Sequence, residues 1–120
     1  MGQYYYIVNT EKKEYINAHN LGGGLKLWEI MVNPISGLYT YLTAESSGSG
    51  GGDPRFSTEH MGRWSNNRIV TVGDYNDSGP NDGLFQEVED NPEYEEISSQ
   101  SLVDEYNKFY GEDVLEYRPV

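Results

Sequence analysis

The clearest strand signal in the chain is Arg68-Ile69-Val70-Thr71-Val72, which Gly73 closes. Its four consecutive β-branched residues favour an extended backbone, because such side chains pack well on a pleated sheet. Residues 3–8 (Gln-Tyr-Tyr-Tyr-Ile-Val) predict a second strand, and residues 14–17 predict the strand that returns from it in a hairpin. These segments predict the centre of a sheet.

Further strands are predicted on either side of this centre. Residues 38–44 (Leu-Tyr-Thr-Tyr-Leu-Thr-Ala) have high β propensity throughout, and residues 114–117 predict a final strand. Residues 84–97 leave two interpretations open, since their first half fits a helical turn and their second half fits a strand.

Two helices are predicted from the spacing of apolar residues. One covers residues 25–32 and ends before Pro34, and the other covers residues 101–110, with Ser101 as a capping residue. The prediction is an α+β fold with a five- or six-stranded, mostly antiparallel sheet and two helices packed on it. A chain of 120 residues suits a single domain, here residues 1–120, with flexible loops near 46–56 and 74–83.

The composition limits the possible functions. The chain has no cysteine, which excludes disulfides and thiolate chemistry. It shows no signal peptide and no apolar run of membrane-spanning length, so a soluble, cytoplasmic protein is predicted.

Negative charge is concentrated in the second half of the sequence. The chain carries 20 acidic and 8 basic residues, a net charge of −12, and residues 61–120 account for −10 of it. No basic residue interrupts seven acids that form a predicted partner-binding patch: Asp82, Glu87, Glu89, Asp90, Glu93, Glu95 and Glu96. Such a surface repels phosphate backbones and attracts basic proteins, although solubility alone would also explain it.

A small-ligand site is predicted beside the strand at 68–72. Arginine next to aromatic residues grips planar, phosphorylated or carboxylated ligands, although the same residues also neutralise nearby acids in structural roles. The predicted ligand-binding residues are Arg63, Trp64, Arg68, Asp74, Tyr75 and Lys26.

Two loop motifs are incomplete. Gly22-Gly23-Gly24 precedes a predicted helix with Lys26 in its first turn, which favours an anion, but the spacing matches no phosphate-binding motif and also suits a plain flexible connection. The weak calcium candidate is Asp74, Asn76, Ser78 and Asp82, whose spacing fits the first half of a calcium loop. The glutamate required at its twelfth position is replaced by Phe85, and the segment also has ordinary turn chemistry. No metal and no cofactor are predicted.

Several short blocks of the sequence, taken in order, form a recognisable pattern. They are Met1-Gly2-Gln3-Tyr4-Tyr5 with Ile7-Val8-Asn9, Gly24-Leu25-Lys26-Leu27-Trp28-Glu29, Gly50-Gly51-Gly52-Asp53, Gly62-Arg63-Trp64, Arg68-Ile69-Val70 and Gly73-Asp74-Tyr75. In these blocks the chain resembles a family of small bacterial and phage proteins. The family has no established activity, so the resemblance implies no mechanism.

The function predicted from these features is a non-enzymatic acidic binding protein, encoded by a phage or mobile element. It would engage or inhibit a basic, nucleic-acid-binding protein, or sequester a small ligand. The alternative is a small enzyme or nucleotide-handling protein whose glycine loops hold phosphate, with His19, His60 or Asp74 moving protons.

Overall fold

Four strands and four helices organise the residues that the computed structural model describes, which are 2–32 and 34–119. The strands are β1 (Tyr5–Asn9), β2 (Glu14–Ile16), β3 (Ile69–Gly73) and β4 (Glu95–Glu96). The helices are α1 (Leu27–Val32), α2 (Ile35–Thr43), α3 (Leu84–Asp90) and α4 (Gln100–Tyr110), and a 3₁₀ helix (Ala18–Leu21) follows β2. Met1, with which the family resemblance begins, lies outside the described residues.

The sheet has the order β3-β1-β2-β4. β1 pairs antiparallel with both β2 and β3, in a register that places Ile7 opposite Ile16 on one side and Thr71 on the other. β2 pairs in parallel with β4. The predicted hairpin and the predicted strand at 68–72 therefore form the centre of a mixed, four-stranded sheet.

The prediction of five or six strands with two helices is wrong. Residues 38–43 belong to α2 rather than to a strand, and Ala44 follows as its C-terminal cap. The reason is that Ile35, Leu38 and Leu42 recur at helical spacing and have no exposed surface. Burial of that face outweighs the β propensity of the residues between them.

The predicted final strand at 114–117 does not form either. The side chain of Asn107 accepts hydrogen bonds from the backbone of Val114 and Leu115 at 3.1 and 3.0 Å. The backbone N–H of Arg118 donates to Asn20 O at 2.7 Å. Residues 114–118 are thus held by individual hydrogen bonds and not by a strand ladder.

Both interpretations of residues 84–97 apply, each to its own half, as α3 and as β4. The two predicted helices form as α1 and α4, but Ser99 and not Ser101 caps α4, accepting the N–H of Leu102 at 3.2 Å. Gly111 ends α4 in the left-handed conformation, with φ of +92°.

The two faces of the sheet carry separate apolar cores. Ile7 and Ile16 contribute to the larger core, with residues of α1, α2 and α4. Tyr6, Val8 and Val72 point to the opposite face, where α3 covers them. The fold is therefore a single α+β domain in three layers, and the alternation along β1 decides which layer each residue joins.

Candidate functional site

Glu14 on β2 connects the first two predicted site residues. Its carboxylate accepts hydrogen bonds from Arg63, at 3.1 Å from Nε to Oε1 and 2.6 Å from Nη2 to Oε2. The indole Nε1 of Trp64 donates to the same Oε1 at 2.8 Å. Trp64 is fully buried. The indole therefore has no face left for a ligand, and the three side chains tie β2 to the loop after α2.

Hydrogen bonds from Arg63 and Trp64 stabilise the ionised form of Glu14. Burial on its own would raise the pKa of Glu14, but the hydrogen bonds from Arg63 and Trp64 lower it below its ordinary value. The hydrogen bond to Glu14 raises the pKa of Arg63 in turn, and the charges of Glu95 and Glu59 add to the effect. This pair is a fixed internal ion pair at neutral pH.

Three other predicted residues, Lys26, Asp74 and Tyr75, surround the residues that precede β1. Oδ1 of Asp74 accepts the backbone N–H of Tyr4 at 3.1 Å, and the backbone N–H of Asp74 donates to Tyr4 O at 2.9 Å. The hydroxyl of Tyr75 lies 3.5 Å from Gly2 O, and the aliphatic part of Lys26 packs against Gly2. These contacts hold the N-terminal segment on the sheet.

Arg68 stands apart from both groups. It precedes β3 whereas Asp74 follows it, and a strand rises about 3.3 Å per residue, so about 20 Å separates their backbones. The backbone N–H of Arg68 donates to Oε1 of Glu11 at 2.9 Å. Its exposed side chain has no hydrogen bond or ion pair with the described residues. The structure thus divides the six predicted ligand-binding residues among three places.

The glycine tract at 22–24 does not leave an open anion site. Gly22 closes the 3₁₀ helix with φ of +84°. The carboxylate of Glu29 lies against Gly24 and accepts the backbone N–H of Lys26 at 3.2 Å. A carboxylate of the chain itself therefore occupies the start of α1, where the phosphate-binding alternative requires an incoming anion.

The calcium candidate is a turn leading into α3. Oδ1 of Asp74 is engaged by Tyr4, and Nδ2 of Asn76 donates to Asn81 O at 2.9 Å, which closes the loop on itself. Ser78 and Asp82 are exposed. Within the described ranges, no three histidine, aspartate or glutamate side chains are grouped so as to hold a metal ion.

The predicted acidic patch is divided by the alternation of β4. Glu95 lies opposite Glu14 and shares its face of the sheet, close enough to raise the pKa of Arg63. Glu96 lies opposite Tyr15 on the other face, beside α3. Glu87, Glu89 and Asp90 belong to α3, Glu93 to the turn before β4 and Asp82 to the turn before α3.

Four of these carboxylates surround tyrosines on the α3 side of the sheet, and we call this set the outer acidic face: Glu87, Glu89, Glu93 and Glu96. Burial first, and then the charges of Glu96 and Glu89, raise the pKa of Tyr15. Burial and the charges of Glu87 and Glu93 likewise raise that of Tyr94, although the charge of Lys13 lowers it. Negative charge is thus concentrated here by two elements, α3 and the segment 93–96.

His60 and Ser101 form a contact that the sequence did not single out. Nε2 of His60 lies 3.0 Å from Oγ of Ser101, which also donates to Oε2 of Glu59 at 3.1 Å. Nδ1 of His60 is buried without a hydrogen-bond partner among the described residues. The carboxylate of Glu59 lies 3.5 Å from the same Nε2. A catalytic triad places its orienting carboxylate at the other ring nitrogen, Nδ1, where no described residue makes a hydrogen bond. The contact joins the loop after α2 to α4.

A groove of about 260 Å³ lies between α2 and α4, with residues 52–54 at its rim. The rings of Tyr41 and Tyr106 meet edge to face at 5.6 Å, and Tyr106 lies 6.2 Å from Tyr110. Sequence analysis missed this site because it placed Tyr41 on a strand. The helical recurrence of apolar residues from Ile35 onward was the signal that could have revealed it.

The exposed side of α1 is apolar. Trp28, Met31 and Val32 are 71%, 65% and 62% exposed, whereas Ile30 on the opposite side joins the larger core. Among the described residues, no helix has the length and apolar content needed to cross a bilayer.

Comparison of the chain with family models, with curated proteins and with solved structures found no match. The resemblance of its sequence blocks to small bacterial and phage proteins therefore stays a prediction.

Proposed function

We propose that the chain is a non-enzymatic binding protein that engages a basic protein through its outer acidic face. The observation that carries the proposal is the convergence of Glu87, Glu89, Glu93 and Glu96 from two elements onto one side of the sheet. The net charge of −12 gives the whole molecule a field of the same sign. Such a field attracts basic proteins over a distance and repels nucleic acids directly.

Several of these carboxylates are held in place before any partner arrives. Oε2 of Glu89 accepts the hydroxyl of Tyr6 at 3.0 Å, and Oε2 of Glu96 accepts Nδ2 of Asn20 at 2.8 Å. Glu93 pairs with Lys13 at 2.6 Å on the exposed surface. Groups that are already ordered lose less conformational entropy on binding. A group of fixed carboxylates presents negative charge to a basic protein, as a phosphate backbone does, which supports a basic, nucleic-acid-binding protein as the partner.

The enzyme alternative has less support. Glu29 occupies the start of α1. The carboxylate beside His60, that of Glu59, lies at Nε2 and not at Nδ1, which has no hydrogen-bond partner among the described residues. Both features oppose the chemistry that a nucleotide-handling site needs.

The test compares two triple variants of equal net charge. One neutralises α3, with Glu87→Gln, Glu89→Gln and Asp90→Asn. The control neutralises three exposed acids elsewhere, with Asp77→Asn, Glu112→Gln and Asp113→Asn. Each immobilised variant is titrated with purified basic nucleic-acid-binding proteins at about 50 mM and about 500 mM salt, where electrostatic screening differs strongly.

We expect binding to weaken steeply as the salt concentration is raised. We also expect the α3 variant to lose this binding and the control variant to keep it. Equal loss in both variants would show that net charge alone attracts the partner, and would contradict a specific face. Affinity that does not change with salt would also contradict it.

A further inference from the structure

We propose that the free edge of β3 pairs with β3 of a second copy of the chain, antiparallel and about a two-fold axis at Thr71. β3 is the last strand on one side of the sheet, whose order is β3-β1-β2-β4. The inference is independent of the proposed function, which concerns a face of the sheet and not its edge.

The backbone of β3 has hydrogen-bonding groups that no described residue uses. The backbone N–H of Asp74 donates to Tyr4 O at 2.9 Å. Hydrogen-bonded pairs alternate along an antiparallel ladder, so the even-numbered residues of β3 direct their backbone groups toward β1. The N–H and C=O groups of Ile69 and Thr71 therefore point away from β1, and they have no hydrogen-bond partner in the described part of the chain.

The sequence of this edge does not protect it against pairing. Natural sheets protect exposed edges with charged side chains, with proline or with very short strands. β3 is five residues long, Ile-Val-Thr-Val-Gly, and has neither a charge nor a proline. Thr71 is exposed, and Ile69 and Val70 are only half-buried. By contrast β4, at the other edge of the sheet, consists of two glutamates. Of the two edges, β3 is thus the one suited to pairing.

The charges that flank β3 identify the occupant as a second copy. An antiparallel pair centred on Thr71 sets residues that lie equally far from it on either side opposite each other. Arg68 therefore lies opposite Asp74 of the second copy, and two-fold symmetry repeats this contact at the other end of the pair. Opposite charges at directly opposed positions stabilise a strand pair. Parallel pairing in the same register would instead set each charge beside its like.

Both charged side chains are available for this contact. Arg68 is exposed, and its side chain has no hydrogen bond or ion pair with the described residues. Asp74 is also exposed. Its Oδ1 accepts the backbone N–H of Tyr4 at 3.1 Å, whereas its Oδ2 accepts no bond from the described residues. The pairing therefore needs no existing contact of either side chain to break.

The net charge of −12 opposes association of two copies, but part of it lies far from this edge. Glu93, Glu95 and Glu96 belong to β4 or to the turn before it, at the opposite edge of the sheet. Three strand spacings, about 14 Å, separate β4 from β3. The screening length at physiological salt is about 8 Å, so these carboxylates repel a second copy only weakly across the β3 edge.

The test combines charge reversal in the full chain with sedimentation equilibrium from about 5 to about 500 µM, a range in which small interfaces dissociate. The parent chain is expected to form a dimer in this range. Arg68→Glu and Asp74→Arg are each expected to stay monomeric, since each sets like charges opposite each other. An equimolar mixture of the two variants is expected to dimerise, because both flanking pairs of the mixed dimer join opposite charges again.

The reversal of Asp74 separates the proposed register from general repulsion. Asp74→Arg makes the chain less negative, so a dimer limited by net charge alone would become stronger. Stronger association of this variant overturns the inference. A parent chain that stays monomeric throughout the range overturns it too, and so does a mixture that associates no more than the single variants do.

A second measurement reports the register without changing a charge. The chain has no cysteine, so Thr71→Cys introduces a single thiol. In the proposed dimer the two Cα atoms of residue 71 lie about 5.5 Å apart, within the range that a disulfide bridges. Mild oxidation is expected to link Thr71→Cys into a covalent dimer. The control Asp77→Cys, exposed in the segment after β3, is expected to stay largely monomeric. Equal linking of both variants overturns the inference, and so does a failure of Thr71→Cys to link.

Discussion

Trp64 and Glu14 are 50 residues apart in sequence and are joined by a hydrogen bond of 2.8 Å from Nε1 to Oε1. The bond lies in the interior, where the same carboxylate also receives two donors from Arg63. The residues that look most suited to grip a ligand thus hold the protein together. Substituting these residues is therefore expected to lower the stability of the fold.

Replacing Glu14 with glutamine removes the charge that both partners use. The amide keeps one acceptor and turns an N–H₂ group toward the guanidinium of Arg63. We expect a loss of about 2–3 kcal/mol in the free energy of unfolding, less than for a fully buried pair because Arg63 is partly exposed. Urea unfolding measures it. Glu112→Gln, on the exposed surface, should change stability by less than about 0.5 kcal/mol, and an equal effect of both would contradict the structural role.

Glu105 makes the protein sensitive to acid. Its carboxylate accepts the backbone N–H groups of Glu59, His60 and Met61 at 2.6, 3.0 and 3.2 Å, as well as the hydroxyl of Tyr41. Burial raises the pKa of Glu105, but these hydrogen bonds outweigh it and lower the pKa below its ordinary value of 4.5.

A lowered pKa in the folded state means that the stabilisation is present above pH 4.5 and is lost as the pH falls through the lowered value. Unfolding in urea at a series of pH values should therefore show stability falling on acidification below this range. Glu105→Gln should be less stable than the parent chain at pH 7 and should lose less on acidification. Parallel pH curves for the two proteins would exclude Glu105 as a source of the effect.

The two tryptophans should differ sharply in solvent contact. Trp28 is 71% exposed and Trp64 is fully buried. In Trp28→Phe, the remaining emission comes from Trp64, and acrylamide should quench it weakly. In Trp64→Phe, the emission comes from Trp28 and should be quenched efficiently. The second substitution also removes the bond to Glu14 and should cost about 2–3 kcal/mol, whereas the first should be nearly neutral. Similar quenching of the two variants would contradict the placement of Trp64.

Gly62 needs to be glycine for two reasons. Its φ is +75°, and a Cβ there would lie 2.7 Å from Ala44 O, which is backbone and cannot turn aside. Gly79 has φ of +84° with nothing within 4 Å of the same position. We expect Gly79→Ala to cost about 1 kcal/mol, from the backbone conformation alone. Gly62→Ala should cost at least about 2 kcal/mol. Thermal and urea unfolding of the pair measures the difference, and equal costs would contradict the contact with Ala44.

The central strands were predictable because local preference and tertiary environment agree there. The β-branched run at 69–72 and the alternation along β1 both suit a sheet that is covered on two faces. At α2 the two influences oppose each other. Thr40 and Thr43 have high β propensity, but both are compatible with this helix. Their hydroxyls donate hydrogen bonds to the carbonyls of Ser36 and Tyr39 at 3.2 and 3.0 Å.

The candidate site was harder to predict than the fold. Glu14 was recognised as part of a strand, yet nothing in its neighbours in sequence indicates that Arg63 and Trp64 lie opposite it. The outer acidic face required the parallel pairing of β4, which places Glu95 and Glu96 on different faces. The contacts of Glu14 and the outer acidic face both depend on pairing between segments that are distant in sequence. Neither composition nor periodicity predicts such pairing.

The pairing of β4 with β2 also has a consequence for synthesis on the ribosome. The hydroxyl of Ser98 accepts a hydrogen bond from the backbone N–H of Asn17, 81 residues away in sequence. A nascent chain that has emerged only as far as β3 can form the first three strands but leaves one edge of β2 without its neighbour. That edge stays open until residues 95–96 have also emerged, and contacts of such long sequence separation are slow to form. An open strand edge can pair with other chains, so this interval is when the protein is most exposed to misassembly.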